Sequence, residues 1–256
     1  MKRSRALYFL VVIVCALCLL FSCDPKVEER PDSPFSVGEK GPTGGYIFYD
    51  CDADNDSGNA DGLISTECGW RFLEAAPADL RVVGGIPTVD ANYPGYSSTT
   101  ENCVFGFHRT VDDGINLYVN GTSTYNASNC TGTAIGMGMT NTQLLVNAMG
   151  DETYSDYSGS SKTKNYDARL CSILTYTVNG VTYDDWFLPS KDELFFMYTV
   201  LYKNGLGDFA TGGIYWSSSE YDNYTDIAWT QDLEYGSQGI FCGRNYNHGV
   251  RPVRAF

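Results

Sequence analysis

Histidine is nearly absent: His108 and His248 are the only two in 256 residues. That excludes a zinc centre built on several imidazoles. Positive charge is scarce too, with 17 Lys+Arg against 31 Asp+Glu, a formal charge of −14 and a pI near 4.4. Phosphate backbones are gripped by basic faces, so no nucleic-acid partner is expected. Catalytic signatures are missing as well. No G-x-S-x-G elbow, H-E-x-x-H pair or phosphate-binding glycine loop occurs. The one S-x-x-K match, Ser161 to Lys164, lies in a polar loop without its companion motifs. No catalytic residue is assigned, and the chain is not read as an enzyme. What is present is material for a core: 43% hydrophobic residues against 19% charged rule out a disordered acidic tail.

The N-terminus sets the expected compartment. Lys2, Arg3 and Arg5 precede an uncharged apolar run from Ala6 to Phe21. That run is short for a bilayer span, which takes ~20 residues, and has the form of a secretory signal. It ends Leu20-Phe21-Ser22-Cys23, which resembles a bacterial lipoprotein signal. On that resemblance residues 1–22 are cleaved and Cys23 becomes the lipidated, palmitate-bearing first residue. Losing three positive charges and no acid takes the formal charge from −14 to −17. Residues 23–43 then form the lipidated Cys and a flexible tether, rich in Pro and charge over 24–37. The domain is expected over 44–256, at the cell envelope on a lipid anchor, on the outer membrane or cell surface, with the periplasmic face as the alternative.

Nine cysteines occur, and Cys15, Cys18 and Cys23 belong to the signal and anchor. Cys51, Cys68, Cys103, Cys130, Cys171 and Cys242 remain, an even number that fits disulfides in an exported chain. Cys51 and Cys68 bracket one polar insertion and are the first pairing expected. Cys103 with Cys130 closes a second Gly/Ser/Asn-rich stretch, which leaves Cys171 with Cys242 by elimination.

Short strands are read at Tyr46–Tyr49, Trp70–Ala75, Ile214–Ser217, Ile227–Thr230, Gly239–Cys242 and Val250–Phe256, from aromatic and β-branched runs. Helices are read at Thr140–Met149, with Gly150 past its end, and over Tyr166–Leu174. The clearest helix begins at Ser190, where Ser190-Lys191-Asp192-Glu193 is a capping box. Leu194, Met197, Val200 and Leu201 follow on one face, and Gly205 is its natural stop. Gly38 to Gly44 reads as a turn before the first strand. Central helices with antiparallel strands at both ends give an α+β domain of short antiparallel strands, two to three helices and long disulfide-stapled loops.

Five segments together carry a resemblance: Gly41-Pro-Thr-Gly-Gly-Tyr-Ile-Phe48, Gly69-Trp-Arg-Phe-Leu-Glu-Ala-Ala-Pro77, Asp184-Asp-Trp-Phe-Leu-Pro-Ser-Lys-Asp-Glu-Leu194, Tyr215-Trp-Ser-Ser-Ser-Glu220 and Val250-Arg-Pro-Val-Arg-Ala-Phe256. They occur in the order found in the Lcl C-terminal domain family, and the chain resembles that family over residues 38–256. The members it resembles are bacterial secreted lipoproteins of unassigned function. The resemblance implies a C-type-lectin-like domain, related in architecture to formylglycine-generating and sulfatase-modifying folds. It also implies an adhesin-like role in carbohydrate binding. The family's named adhesin takes sulfated polysaccharides, which a surface of −17 repels. The function expected is therefore binding of a glycan or surface protein at the envelope. The alternatives are a structural envelope protein without a ligand and a thiol-dependent enzyme of the formylglycine-generating kind.

Two constellations are candidate sites. Loop residues Tyr221, Asp222, Asn223, Tyr224, Asn245, Tyr246 and Asn247 combine rings that stack on sugars with groups that bond hydroxyls. Trp216 and Trp229 lie inside strand-like runs and are read as core. Asp52, Asp54, Asp56 and Asp61 offer alternate carboxylates to calcium, the one cofactor the sequence offers. No Gly follows Asp56 directly and Leu63 stands where a bidentate Glu belongs, so a solvated acidic loop is the competing reading. Arg251 and Arg254 are read as structural, with Glu74 or Glu193 as partner, and Glu74 is alternatively a ligand contact.

Overall fold

Tyr-Ile-Phe-Tyr at 46–49 fits a pleated surface buried on both sides, and it is a strand in the computed structural model of the chain. The structure describes residues 33–52, 68–90, 103–106, 117–155, 162–239 and 243–256. The signal segment, Cys23, tether residues 24–32, Asp54, Asp56, Asp61 and Cys242 lie outside these residues. Among the described residues no helix is long and apolar enough to cross a membrane.

The unit Phe35–Phe256 begins with β1 (Tyr46–Asp50), β2 (Phe72–Ala75), β3 (Leu80–Val83) and β4 (Ile86–Val89). Next come α1 (Met137–Met149), β5 (Tyr154–Ser155), β6 (Lys162–Thr163) and α2 (Asp167–Ser172). β7 (Tyr176–Val178), β8 (Val181–Tyr183) and α3 (Lys191–Phe196) follow. The chain closes with β9 (Ile214–Glu220), β10 (Ala228–Asp232), β11 (Gln238–Gly239) and β12 (Val253–Ala255). One sheet has the order β1-β2-β12 and another β11-β10-β9, and the remaining strands form three hairpins. Every pair of named strands is antiparallel. Among the described residues the class is α+β, with short antiparallel strands and three α-helices.

Period-two alternation divides the interior. On β9, Tyr215 packs with Phe48, Leu73, Leu194, Met197 and Val253. Its neighbour Trp216 packs with Phe105, Tyr118, Leu145 and Leu188 on the other side. The next three residues are serines, yet all are buried. Each hydroxyl has a partner: Ser217 donates to Trp229 O at 2.8 Å, Ser219 donates to Gly132 O at 2.7 Å, and Ser218 Oγ accepts from Asn141 Nδ2 at 3.0 Å. A polar run lies in a core strand because no hydroxyl is left dry and unpaired.

The capping box at Ser190 forms: its Oγ accepts Glu193 N–H, and Glu193 Oε2 accepts Ser190 N–H at 2.7 Å. The other oxygen of the same carboxylate accepts the amides of Gly136 and Gly138 at 2.8 and 3.3 Å. This is why α1 starts at Met137, ahead of the Thr140 read from sequence. One glutamate serves the starts of two helices, and it is not the partner of either arginine. After Phe196 the α-helix does not run on to Gly205. It widens into a π-helical segment, Met197–Leu201, and ends in a 3₁₀ turn, Tyr202–Asn204, before Gly205 at φ 70°. Leu194, Met197 and Leu201 are still buried.

The turn Gly41–Gly45 wraps a buried carboxylate. Glu74 Oε1 accepts Thr43 N–H, Thr43 Oγ–H and Gly45 N–H at 3.0, 2.7 and 3.1 Å. A Cβ at Gly41 would collide with that carboxylate. Glu74 is therefore a fold residue, not a ligand contact.

Stapling is less complete than expected. Among the described residues no two cysteines are joined. Cys51 and Cys68 do meet, their sulfurs 3.2 Å apart. Cys103, Cys130 and Cys171 are buried in one apolar cluster.

Candidate functional site

The loop that joins β9 to β10 is set by the residue before it. Glu220 is fully buried and faces Arg244, equally buried, at 3.3 Å. Its carboxylate also accepts Val119 N–H at 2.9 Å and both Thr131 donors at 3.3–3.4 Å. Arg244 Nε and Nη1 donate to Ile227 O and Leu117 O at 3.0 and 3.1 Å. Burial pushes the Glu220 carboxyl up and the Arg244 guanidinium down, and each opposes the shift of the other. An arginine in a protein stays charged, so this is a dry ion pair. The backbone continues the clamp, with Arg244 N–H donating to Asp226 O at 2.8 Å and Tyr221 N–H to Ile227 O at 3.3 Å.

On this frame the loop presents rings to solvent. Tyr221 and Tyr224 stack at 6.0 Å and 20°. Tyr221 meets Trp229 edge to face at 5.2 Å and 79°. Lys191 Nζ lies 4.9 Å from the Trp229 centroid and 3.2 Å from Asp192 Oδ1. Asn223 Nδ2 donates to Tyr221 Oη at 3.2 Å. Tyr224 is 57% exposed, and Asp222, Asn223 and Asp226 are exposed beside it.

Trp216 is core, as expected, but Trp229 is only half-buried. Along β10, Ala228 and Thr230 point inward, so Trp229 between them points out. That alternation was the available signal. The reading of an apolar run as wholly buried obscured it. Lys191 joins the cluster through the fold alone.

Tyr246 belongs to a neighbouring patch. It is 36% exposed, and its ring lies over His248 at 6.3 Å and 25°. His248 in turn packs on Trp216 at 4.7 Å. Burial pushes His248 down to about 4, so its imidazole is neutral at ordinary pH. Asn245 and Asn247 flank Tyr246 and are half-buried. The seven loop candidates thus form two adjoining patches, linked by the Asp226–Arg244 backbone bond and the Ile227–Gly243 bridge.

The other candidates are placed as follows. Asp52 is mostly buried, and its carboxylate lies 3.8 Å from Arg71, which also pairs with Asp50 at 3.0 Å. Its three expected calcium partners are outside the described residues. Among the described residues no three His, Cys, Asp or Glu side chains come together as a metal group. Arg251 pairs with Asp79, and Arg254 with Asp185 at 2.8 Å and Glu74 at 3.5 Å. The Cys130 and Cys171 thiols are both pushed up by burial. That is the opposite of what a nucleophilic thiolate requires. Compared with protein-family models and with curated proteins, the chain has no match.

Proposed function

We propose that this chain is a lipid-anchored protein of the bacterial envelope, and that its domain is a recognition module for a glycan. The supporting observation is the cluster of exposed Tyr224 with half-buried Tyr221 and Trp229 on a buried, ion-paired frame. Aromatic faces bind apolar sugar faces, and nearby amides and carboxylates bond the hydroxyls. Rigid rings on a rigid support lose little freedom on binding. The α+β architecture with short antiparallel strands supports a C-type-lectin-like domain of the Lcl C-terminal kind. The anchor is Cys23, on the outer membrane or cell surface.

Glycan-array screening of the purified chain tests the binding reading. Retention of at least one glycan, lost in Tyr224→Ala and Trp229→Ala proteins that keep their thermal midpoint, is the expected result. Silence across the array, or binding untouched by both substitutions, overturns it. Metabolic labelling with a fatty acid tests the anchor separately, and label that persists in Cys23→Ala removes it.

A further inference from the structure

The rings do not stop at Trp229. Lys191, above that ring, opens α3, and Phe195 follows four residues on, 40% exposed. Residues so spaced share a helix face. Phe195 meets Tyr198 at 6.4 Å and 36°, and Tyr198 stacks on Tyr202 at 5.9 Å and 23°. The widened turn at Met197–Leu201 keeps Met197 and Leu201 in the core while Tyr198 stays half-buried at the surface. The β10–β11 turn closes on the same row: Gly236 lies against the Tyr198 hydroxyl, where a Cβ would collide. Its neighbour Tyr235 is 77% exposed. Gln238 Nε2 donates to Lys191 O at 2.6 Å and ties this turn to the helix start.

We infer that the row Tyr224–Tyr221–Trp229–Phe195–Tyr198–Tyr202 is one track for an uncharged polysaccharide chain, with several sugar units laid along it. The inference rests on the glycan reading above and extends it. The span is right for a chain. The steps from Phe195 through Tyr198 to Tyr202 have centroid separations of 6.4 and 5.9 Å. The steps from Tyr224 to Trp229 add centroid separations of 6.0 and 5.2 Å. Charge selects against polyanions: the lysine over the rings is held by Asp192, Asp222 and Asp226 are exposed at one end, and the chain carries −14. Those carboxylates accept bonds from hydroxyls and repel sulfate. The hollows lined by Arg81, Val83 and Ile86 and by Met139, Val146 and Trp186 lie off the row.

Calorimetry of the full chain with cello- and N-acetylated chito-oligosaccharides of two to eight units tests the track. Affinity should climb with chain length in at least one series. Phe195→Ala and Phe195→Gln should each flatten that climb, with a loss of roughly three- to tenfold for the longest member. Tyr224→Ala should weaken every length. NMR shift mapping with the octamer, which needs no variant, should move signals from Phe195 to Tyr202 as well as Tyr221 to Trp229. Length-independent binding that needs Tyr224 but ignores Phe195 overturns the track and leaves the glycan reading standing. No binding to either series overturns the track, and no binding to any glycan, charged or uncharged, overturns both. Tighter binding of sulfated chains, or a protein bound at the row, overturns the uncharged chain.

Discussion

Two parts of the interior handle polar groups in opposite ways. Around Arg251 every buried charge has partners. Its Nε donates to Asp79 at 2.7 Å, its Nη1 to Ala76 O and Gly207 O at 3.1 and 2.6 Å, and its guanidinium lies 4.0 Å from the Phe209 ring. Asp79 also accepts the Tyr215 hydroxyl at 2.7 Å. Asp167 and His248 are just as deep, but both Asp167 oxygens and His248 Nε2 lack hydrogen-bond partners. In the first region the cost of leaving water is offset by those bonds. In the second, desolvation favours the neutral forms, raising the Asp167 pKa and lowering that of His248. Without such partners, the two buried groups of the second respond to pH in opposite directions.

The comparison breaks most sharply at Arg251. Arg251→Ala leaves Asp79 buried without its cation, bonded only to the Tyr215 hydroxyl, and chemical denaturation should show a loss of roughly 3–5 kcal/mol. A loss below about 1 kcal/mol would mean that the pair contributes little.

His248 comes next. Its folded pKa lies below its unfolded one, so its contribution is complete above about 6.5 and is lost as pH falls through about 4. The full loss is on the order of 3 kcal/mol. His248→Phe keeps a ring between Trp216 and Tyr246 and should lose that acid-limb sensitivity. Unchanged pH curves for wild type and variant would refute the assignment.

Asp167 has the reverse sign. Its folded pKa is raised, so its contribution is complete below the unfolded carboxyl value and falls as pH rises. Asp167→Asn should therefore be more stable than wild type at neutral pH, and the gap should close on acidification. A gap that widens in acid would contradict this.

The smallest effect belongs to the surface. Trp229→Ala and Tyr224→Ala should change stability by no more than about 1 kcal/mol, because neither ring fills the core. A larger loss would move these rings from the binding face to the frame.

Much of the frame is legible in the residues themselves. Ser190-Lys-Asp-Glu193 announces a helix start, Gly150 a helix end and Tyr46–Tyr49 a strand. Each depends on interactions within a few residues. The exposed Tyr221–Tyr224 loop is legible for the same reason, since an aromatic loop between two strands stands out locally. The Phe195–Tyr202 face is not. Its helical spacing looks like any amphipathic surface until β10 and the Gly236 turn pack beside it.

The amino-acid order alone therefore determined acidity, the shortage of imidazole, the cap, the turns and the alternation of each strand, because these follow from local chemistry and composition. The tertiary structure decided which carboxylate meets which arginine. It placed Glu193 at two helix starts, turned Trp229 outward and set Lys191 over its ring. Those choices link residues dozens of positions apart, and such pairings are settled when packing satisfies all buried groups at once.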